Sequence, residues 1–226
     1  MSDLLSVFIM GAGRMGEILA GSMADNHRVN LYDRDERKGR EAAKRTGAGY
    51  SHPAGAIPGA DAVIFALPPA LTVEAVESVR KLINPKTVII NIATTVLKDQ
   101  LRPVLGENEH LAGVKIVGHY REMNERPVII VDADTEKAGQ VAFKLFTEIG
   151  HVEAGDEKIV GLINTIATRE AFRAAITIER LLREEGASPE GIKSALRVVA
   201  SGSIKAYSEN DIGPFAKELL IQINLK

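Results

Sequence analysis

Leu5-Ser6-Val7-Phe8-Ile9-Met10-Gly11-Ala12-Gly13-Arg14-Met15-Gly16 decides how this chain is read. A short, mostly apolar run enters Gly-x-Gly-x-x-Gly, and a helical pattern over 15–24 leaves it. The glycine pattern alone is weak, because glycines are common. Its context gives it weight: a strand ahead, a helix behind, and an acid, Asp33, 22 residues past Gly11 at the end of a second apolar run. In such a turn Gly11 permits the tight bend, Gly13 lets backbone approach a pyrophosphate, and Gly16 lets helix and strand pack closely. Arg14 and Met15 open the helix, whose N–H groups and positive dipole end suit phosphates.

Asp33 is placed to accept hydrogen bonds from ribose hydroxyls, which favours NAD and repels a 2′-phosphate. Arg34, Arg37 and Lys38 follow at once. Each could hold that phosphate, arginine in bidentate fashion, although Arg37 and Lys38 read more simply as a solvated helix face. The expectation is NAD or NADP, with a slight preference for NAD. A Rossmann-like loop can also hold S-adenosylmethionine or a flavin.

Outward from the loop, short apolar runs alternate with helical patterns, the signature of a parallel sheet with crossover helices. Strands are predicted over 5–10, 29–32, 62–66, 87–92, 115–118, 128–131 and 151–153, and helices over 15–24, 36–45, 71–83 and 136–149. The fold class is therefore α/β, an N-terminal doubly wound Rossmann sheet followed by a small all-α region. The predicted boundaries are 1–154 for the dinucleotide-binding domain and 155–226 for the helical dimerisation and substrate domain.

The second zone has almost no strand signal. Asp156 caps a long helix reaching about Glu185, Ser188-Pro189 opens another to about Tyr207, and Gly213-Pro214 opens a last one. The long helix carries Ile159, Ile163, Phe172, Ile176 and Leu181 on several sides, as a buried helix does. Some 70 residues of helix cannot surround it, since small domains bury a lower fraction of their surface. The expectation is half a domain, completed by the same segment of a second chain in a two-fold homodimer. Each active site would then lie between a Rossmann domain and the shared helical body.

Composition narrows the partners. The 226 residues are 45% hydrophobic and 26% charged, which excludes a disordered chain. With 28 Lys+Arg against 30 Asp+Glu, no basic excess points to nucleic acid or an anionic membrane. No apolar window reaches the ~20 residues of a membrane helix. Residues 1–7 lack the basic region of a signal peptide, so a cytoplasmic location is expected. The absence of cysteine removes disulfides, thiolate nucleophiles and cysteine-held metals. No metal-ligand cluster is visible; Asp132 and Asp134 read as the cap of the following helix.

The sequence resembles the dehydrogenases that join an N-terminal Rossmann domain to a C-terminal all-helical dimerisation domain. The shared block is Gly11–Gly16, then Tyr32-Asp33-Arg34, then Ala62-Val63-Ile64-Phe65-Ala66-Leu67-Pro68-Pro69. The resemblance implies that Leu67 and Pro68 pass beside the cofactor. Beyond that block the chain looks most like compact archaeal-type prephenate dehydrogenases. It is more distantly similar to pyrroline-5-carboxylate reductases and to 3-hydroxyisobutyrate and 6-phosphogluconate dehydrogenases. Ile90-Asn91-Ile92-Ala93-Thr94-Thr95 resembles the segment that carries a Ser or Thr facing the site. Val117-Gly118-His119-Tyr120 lies where the family has His-Pro, and Asp156–Gly161 resembles the start of its long helix. Tyr120 stands where the family has proline, Asp156 and Thr168 where it has histidines, and the loop 121–127 is shorter. The resemblance implies the reaction class; these departures concern the substrate, and prephenate itself does not follow from it.

His119 is the leading catalytic candidate, at a strand end with an imidazole suited to proton transfer. Thr94 is the second, through a hydrogen bond to cofactor or substrate; as a helix cap Thr94 or Thr95 is as plausible. Arg121 and Arg126 could grip a substrate carboxylate; the alternative is a loop that pairs its own charges with Glu122 and Glu125. Asn164 and Thr168, four apart on the long helix, share a face that a substrate cleft or a polar dimer seam would explain. The other histidines, His27, His52, His110 and His151, read as surface residues.

The functional expectation is an NAD(P)-dependent, prephenate dehydrogenase-like oxidoreductase acting on a small carboxylate-bearing molecule. The alternatives are an S-adenosylmethionine-dependent or other enzyme on this fold, and a non-catalytic dinucleotide sensor.

Overall fold

The computed structural model describes residues 4–106, 108 and 110–224. The apolar runs form one eight-stranded sheet: β1 Ser6–Met10, β2 Arg28–Tyr32, β3 Gly49–Tyr50, β4 Ala62–Phe65, β5 Val88–Asn91, β6 Leu111–Val117, β7 Val128–Ala133 and β8 His151–Ala154. The order is β3-β2-β1-β4-β5-β6-β7-β8. Its first six strands are parallel and follow the Rossmann order. β7 runs antiparallel to β6, and β8 returns parallel to β7. The link 118–127 explains the reversal: it holds only a short 3₁₀ segment, Tyr120–Glu125, too little chain for a parallel crossover.

The helices of this part are α1 Arg14–Met23, α2 Glu36–Thr46, α3 Pro53–Ala56, α4 Pro69–Val79, α5 Lys98–Leu105 and α6 Glu136–Phe146. The chain then forms α7 Lys158–Glu184, α8 Pro189–Ser194, a π-helical turn over Ala195–Ala200, α9 Ser201–Ser208 and α10 Pro214–Asn224. One face of the sheet buries Val7, Ile9 and Ile64 under Leu19 and Met23 of α1 and Leu145 and Phe146 of α6. The other buries Phe8, Phe65 and Ile89 under Val76 of α4 and Leu101 of α5. Removal from water of each such side chain contributes about 1.5–3 kcal/mol.

Three sequence expectations change here. β6 starts four residues before the predicted 115, because Gly113 is a strand residue rather than a break. A Cβ on it would lie 1.9 Å from Glu157 Oε2, so the glycine makes room for a buried carboxylate. Asp132 and Asp134 do not cap α6. Thr135 does, accepting from the Ala138 N–H at 3.2 Å, while both aspartates face Lys98 Nζ at 2.7 and 2.6 Å. His27 is buried rather than superficial.

The chain divides into two compact units, Met1–Asn164 and Thr165–Lys226. The first extends ten residues past the predicted boundary of 154, because the opening turns of α7 are tied to the sheet. Asp156 caps α7 through the Lys158 N–H (2.9 Å), and Asn164 Nδ2 donates to the Ile116 carbonyl at 3.0 Å.

The second unit has helices but hardly a core. Ile192 is its one buried hydrophobic side chain among the described residues. Phe172, Ile176, Val198, Tyr207, Phe215 and Ile221 are all more than half exposed. The expectation that the long helix is buried on several sides is therefore not met within one chain.

Candidate functional site

Met10, Phe65 and Asn91 lie side by side in the register of β1, β4 and β5. The segments that follow them leave the sheet at one edge, at the point where strand order reverses. This edge gathers the glycine loop, Leu67-Pro68 and Thr94-Thr95. β6 is parallel to β5, so His119 leaves on the same side.

The glycine loop is built by close approach. Gly11 has φ 113°, and a Cβ there would lie 2.3 Å from the Ala66 carbonyl oxygen. A Cβ on Gly16 would lie 1.8 Å from the Gly11 carbonyl oxygen. The Gly11 N–H donates to the Tyr32 carbonyl at 2.8 Å, and Ala66 N–H to Met10 at 2.9 Å. A Cβ on Gly13, by contrast, would meet nothing within 4 Å. The loop is thus crowded on the protein side and open at Gly13, where the N-terminus of α1 presents unpaired N–H groups. Arg14 is exposed and Met15 half-buried at this opening. That combination fits a bound pyrophosphate.

Asp33 is engaged on both carboxylate oxygens. Oδ2 accepts from the Ala12 N–H and from Lys38 Nζ, each at 2.9 Å, and Oδ1 from the Asp35 N–H at 3.1 Å. Burial raises its proton affinity, but the Lys38 ammonium and the two N–H groups outweigh this and hold the carboxyl below its ordinary range. Lys38 is therefore not simply part of a solvated helix face, as the sequence suggested. Arg34 and Arg37 are exposed.

Pro68 precedes α4, and the Leu67 side chain reaches within 3.0 Å of the Cβ position of Gly11. Thr94 is half-buried and Thr95 exposed. Neither caps α5, which begins three residues later at Lys98. Asn91 braces their loop: Nδ2 donates to the Val96 carbonyl at 2.7 Å and Oδ1 accepts from the Ala93 N–H at 3.0 Å.

His119 is exposed and accepts from the Arg121 N–H at Nδ1, 3.4 Å away. That bond leaves Nε2 as the protonated nitrogen of the neutral ring. Its ring lies 4.4 Å from that of Tyr120. Tyr120, noted in the sequence only as a departure from His-Pro, is a packing partner here. The Arg14 guanidinium stacks on its ring at 4.5 Å, and Arg121 Nε donates to its hydroxyl at 3.1 Å. The β6 loop is thereby fastened to the first residue of α1.

Other candidates disperse. Arg126 donates through one guanidinium nitrogen to the carbonyls of Thr147 (2.9 Å) and Gly150 (3.5 Å). Asn164 is held on β6, while Thr168 belongs to the second unit and is exposed. No hydrogen bond joins His119 to Thr94 or Asn164 among the described residues, nor do those residues hold a metal-binding cluster.

Strand order and glycine loop together define a Rossmann-type α/β unit. Residues 6–94 match the profile of a family described as NADP oxidoreductase coenzyme F420-dependent. No curated protein matches the sequence. Among solved structures the chain resembles a pyrroline-5-carboxylate reductase from Coxiella burnetii (TM-score 0.74, 12% identity, 97% of this chain and 85% of that one). It also resembles Plasmodium falciparum pyrroline carboxylate reductase with NADP bound (0.67, 15%, 99% and 91%). A third is a Myxococcus stipitatus imine reductase variant in complex with NAD+ (0.64, 12%, 91% and 77%). At these identities the likeness is one of fold.

Proposed function

We propose that this chain is an NAD(P)-dependent oxidoreductase that reduces or oxidises a small carboxylate-bearing substrate. The observation that carries the reading is the glycine loop, closed against Ala66 and Gly16 yet open at Gly13. The profile match over residues 6–94 supports the same class. Gly11, Gly13 and Gly16, with the N–H groups of Arg14 and Met15, would hold the pyrophosphate. Asp33, Arg34 and Lys38 would face the adenosine ribose, and Leu67-Pro68 would flank the dinucleotide. The nicotinamide supplies hydride chemistry when bound.

The remaining roles fall to the strand-end loops. His119 gives or takes a proton at Nε2, the nitrogen its contact with the Arg121 N–H leaves outward. Arg121 offers its guanidinium to a carboxylate, and Thr94 offers a hydroxyl from the loop that Asn91 braces. Asn164 and Thr168 stand as substrate-side candidates on α7. The resemblance of 90–98 and 117–120 to prephenate dehydrogenases supports an anionic substrate. The fold shared with pyrroline carboxylate and imine reductases makes cyclic imines, with and without a carboxylate, the first compounds to assay.

The experiment is a fluorescence titration with NADH and NADPH, followed by nicotinamide oxidation assays over such compounds with wild type and His119→Ala. Binding of either coenzyme and a loss of turnover in the variant are expected. Failure to bind both coenzymes overturns the reading. We further propose that the exposed apolar surface of the second unit is covered by a second copy of the chain.

A further inference from the structure

The end of β2 carries three acids and three bases within six residues, Asp33 to Lys38, and the structure sorts them unequally. Asp35 is consumed as the cap of α2, its Oδ1 accepting from the Lys38 N–H at 3.1 Å. Glu36 pairs with Arg40 at 2.7 Å. Asp33 pairs with Lys38 at 2.9 Å. Arg34 and Arg37 make no ion pair among the described residues. With every acid engaged, the charges left over at the ribose end are two guanidinium groups.

Lys38 is also unusually well fixed for a surface lysine. Its backbone N–H is tied to Asp35 and its ammonium to Asp33. The next residue, Gly39, has its missing Cβ 2.7 Å from the Tyr50 ring and 3.1 Å from the Asp33 nitrogen. That contact draws the first turn of α2 onto the strand end and gives the lysine its reach. An acid at this position ordinarily rejects a 2′-phosphate and accepts ribose hydroxyls. Here one of its oxygens already holds a backbone N–H and an ammonium, and the other a second N–H.

We propose that Lys38 is a specificity-determining residue that neutralises Asp33 and so admits a dinucleotide bearing a 2′-phosphate, with Arg34 and Arg37 as its counter-charges. This rests on the nicotinamide-binding reading above. It reverses the slight preference for NAD that Asp33 alone suggests. Lys38 acts through Asp33, so its removal does more than delete one cation: it returns Asp33 to its usual role.

The test is a comparison of Kd values for NADPH and NADH by fluorescence titration, in wild type, Lys38→Gln, Lys38→Arg and the double variant Asp33→Asn/Lys38→Gln. Melting temperatures confirm that each is folded. Wild type is expected to bind NADPH at least as tightly as NADH. Lys38→Gln is expected to shift the ratio about tenfold or more toward NADH, a change of about one decade in equilibrium constant. Lys38→Arg retains the wild-type ratio, and the double variant moves the ratio back. A ratio that Lys38→Gln leaves in place, or equal weakening of both coenzymes, overturns the proposal, since Lys38 is then only a structural tie. A double variant that stays with NADH also overturns it, because Asp33 is then not the mediator. Binding of neither coenzyme by wild type fails the underlying reading instead, so the two failures are distinct.

Discussion

The Lys115 ammonium lies 3.1 Å from Glu157 Oε2, and neither side chain reaches solvent. Lys115 also donates to the Asn91 carbonyl at 3.0 Å, and Glu157 Oε1 accepts from the Lys98 N–H at 2.5 Å. One pair thus joins β5, β6, the start of α5 and the start of α7. Burial lowers the pKa of Lys115, and Glu157 opposes that shift. Loss of one partner strands the other charge, which costs about 3–5 kcal/mol. Glu157→Ala should therefore lose that much stability in chemical denaturation. The double variant Lys115→Met/Glu157→Gln should recover much of it, because no buried charge is left unpaired. A single variant as stable as wild type would contradict the pair's role.

His27 sets a pH dependence of known sign. It is buried, accepts from the Leu5 N–H at 3.4 Å and lies 3.6 Å from Glu148. Desolvation lowers its pKa below the ordinary 6.5, and Glu148 only partly opposes this. In the window below 6.5 the unfolded chain binds more protons than the folded one, so stability falls as pH drops toward the folded value. The slope from one group is at most about 1.4 kcal/mol per pH unit. Melting temperatures from pH 7 to 5 should decline less steeply in His27→Gln than in wild type. Parallel curves would show that His27 does not titrate with folding.

How far the sequence could be read follows from the range of the interactions. The glycine loop, Asp33 and the alternating strands are local patterns, and they were legible. The start of β6 was not, because the room Gly113 leaves for the Glu157 carboxylate, distant in sequence, shows only in the fold. The tie of Lys38 is hidden because its neighbours make a solvated face the simpler account, while its partner Asp33 lies just past β2. The packing of Tyr120 lay unread because its partner, Arg14, is more than a hundred residues away. The antiparallel turn of β7 was implicit in a short link, and length alone would have revealed it.

Tyr120 offers a separable test of the strand-end loop. Its ring holds the Arg14 guanidinium at 4.5 Å, and its hydroxyl accepts from Arg121. An exposed cation–π contact is worth about 0.5–1 kcal/mol, so Tyr120→Ala should weaken dinucleotide binding roughly threefold by releasing Arg14 from the glycine loop. Tyr120→Phe keeps the ring and should keep coenzyme affinity. It loses the Arg121 contact, so any change should appear in the KM of a carboxylate substrate. Equal effects of the two variants on coenzyme Kd would separate Arg14 from the ring.

The helical surface makes the final prediction. Fifteen of the seventeen large hydrophobic side chains exposed among the described residues lie between Ile159 and Ile223. Among the described residues, the unit from Thr165 onward has only Ile192 as a buried hydrophobic. Monomeric proteins rarely leave apolar surface so concentrated, and a unit this small cannot be stable without burying it. A two-fold copy would present the same apolar surface, so one kind of chain would suffice to cover it. Sedimentation should give twice the chain mass of 24.4 kDa at micromolar concentration. Phe172 and Ile176, 64% and 68% exposed, should be covered in that dimer. Ile176→Glu would bury a carboxylate there, so it should dissociate the dimer and lower the melting temperature. Monomeric wild type with a cooperative helical unfolding transition would show that the second unit stands without a copy.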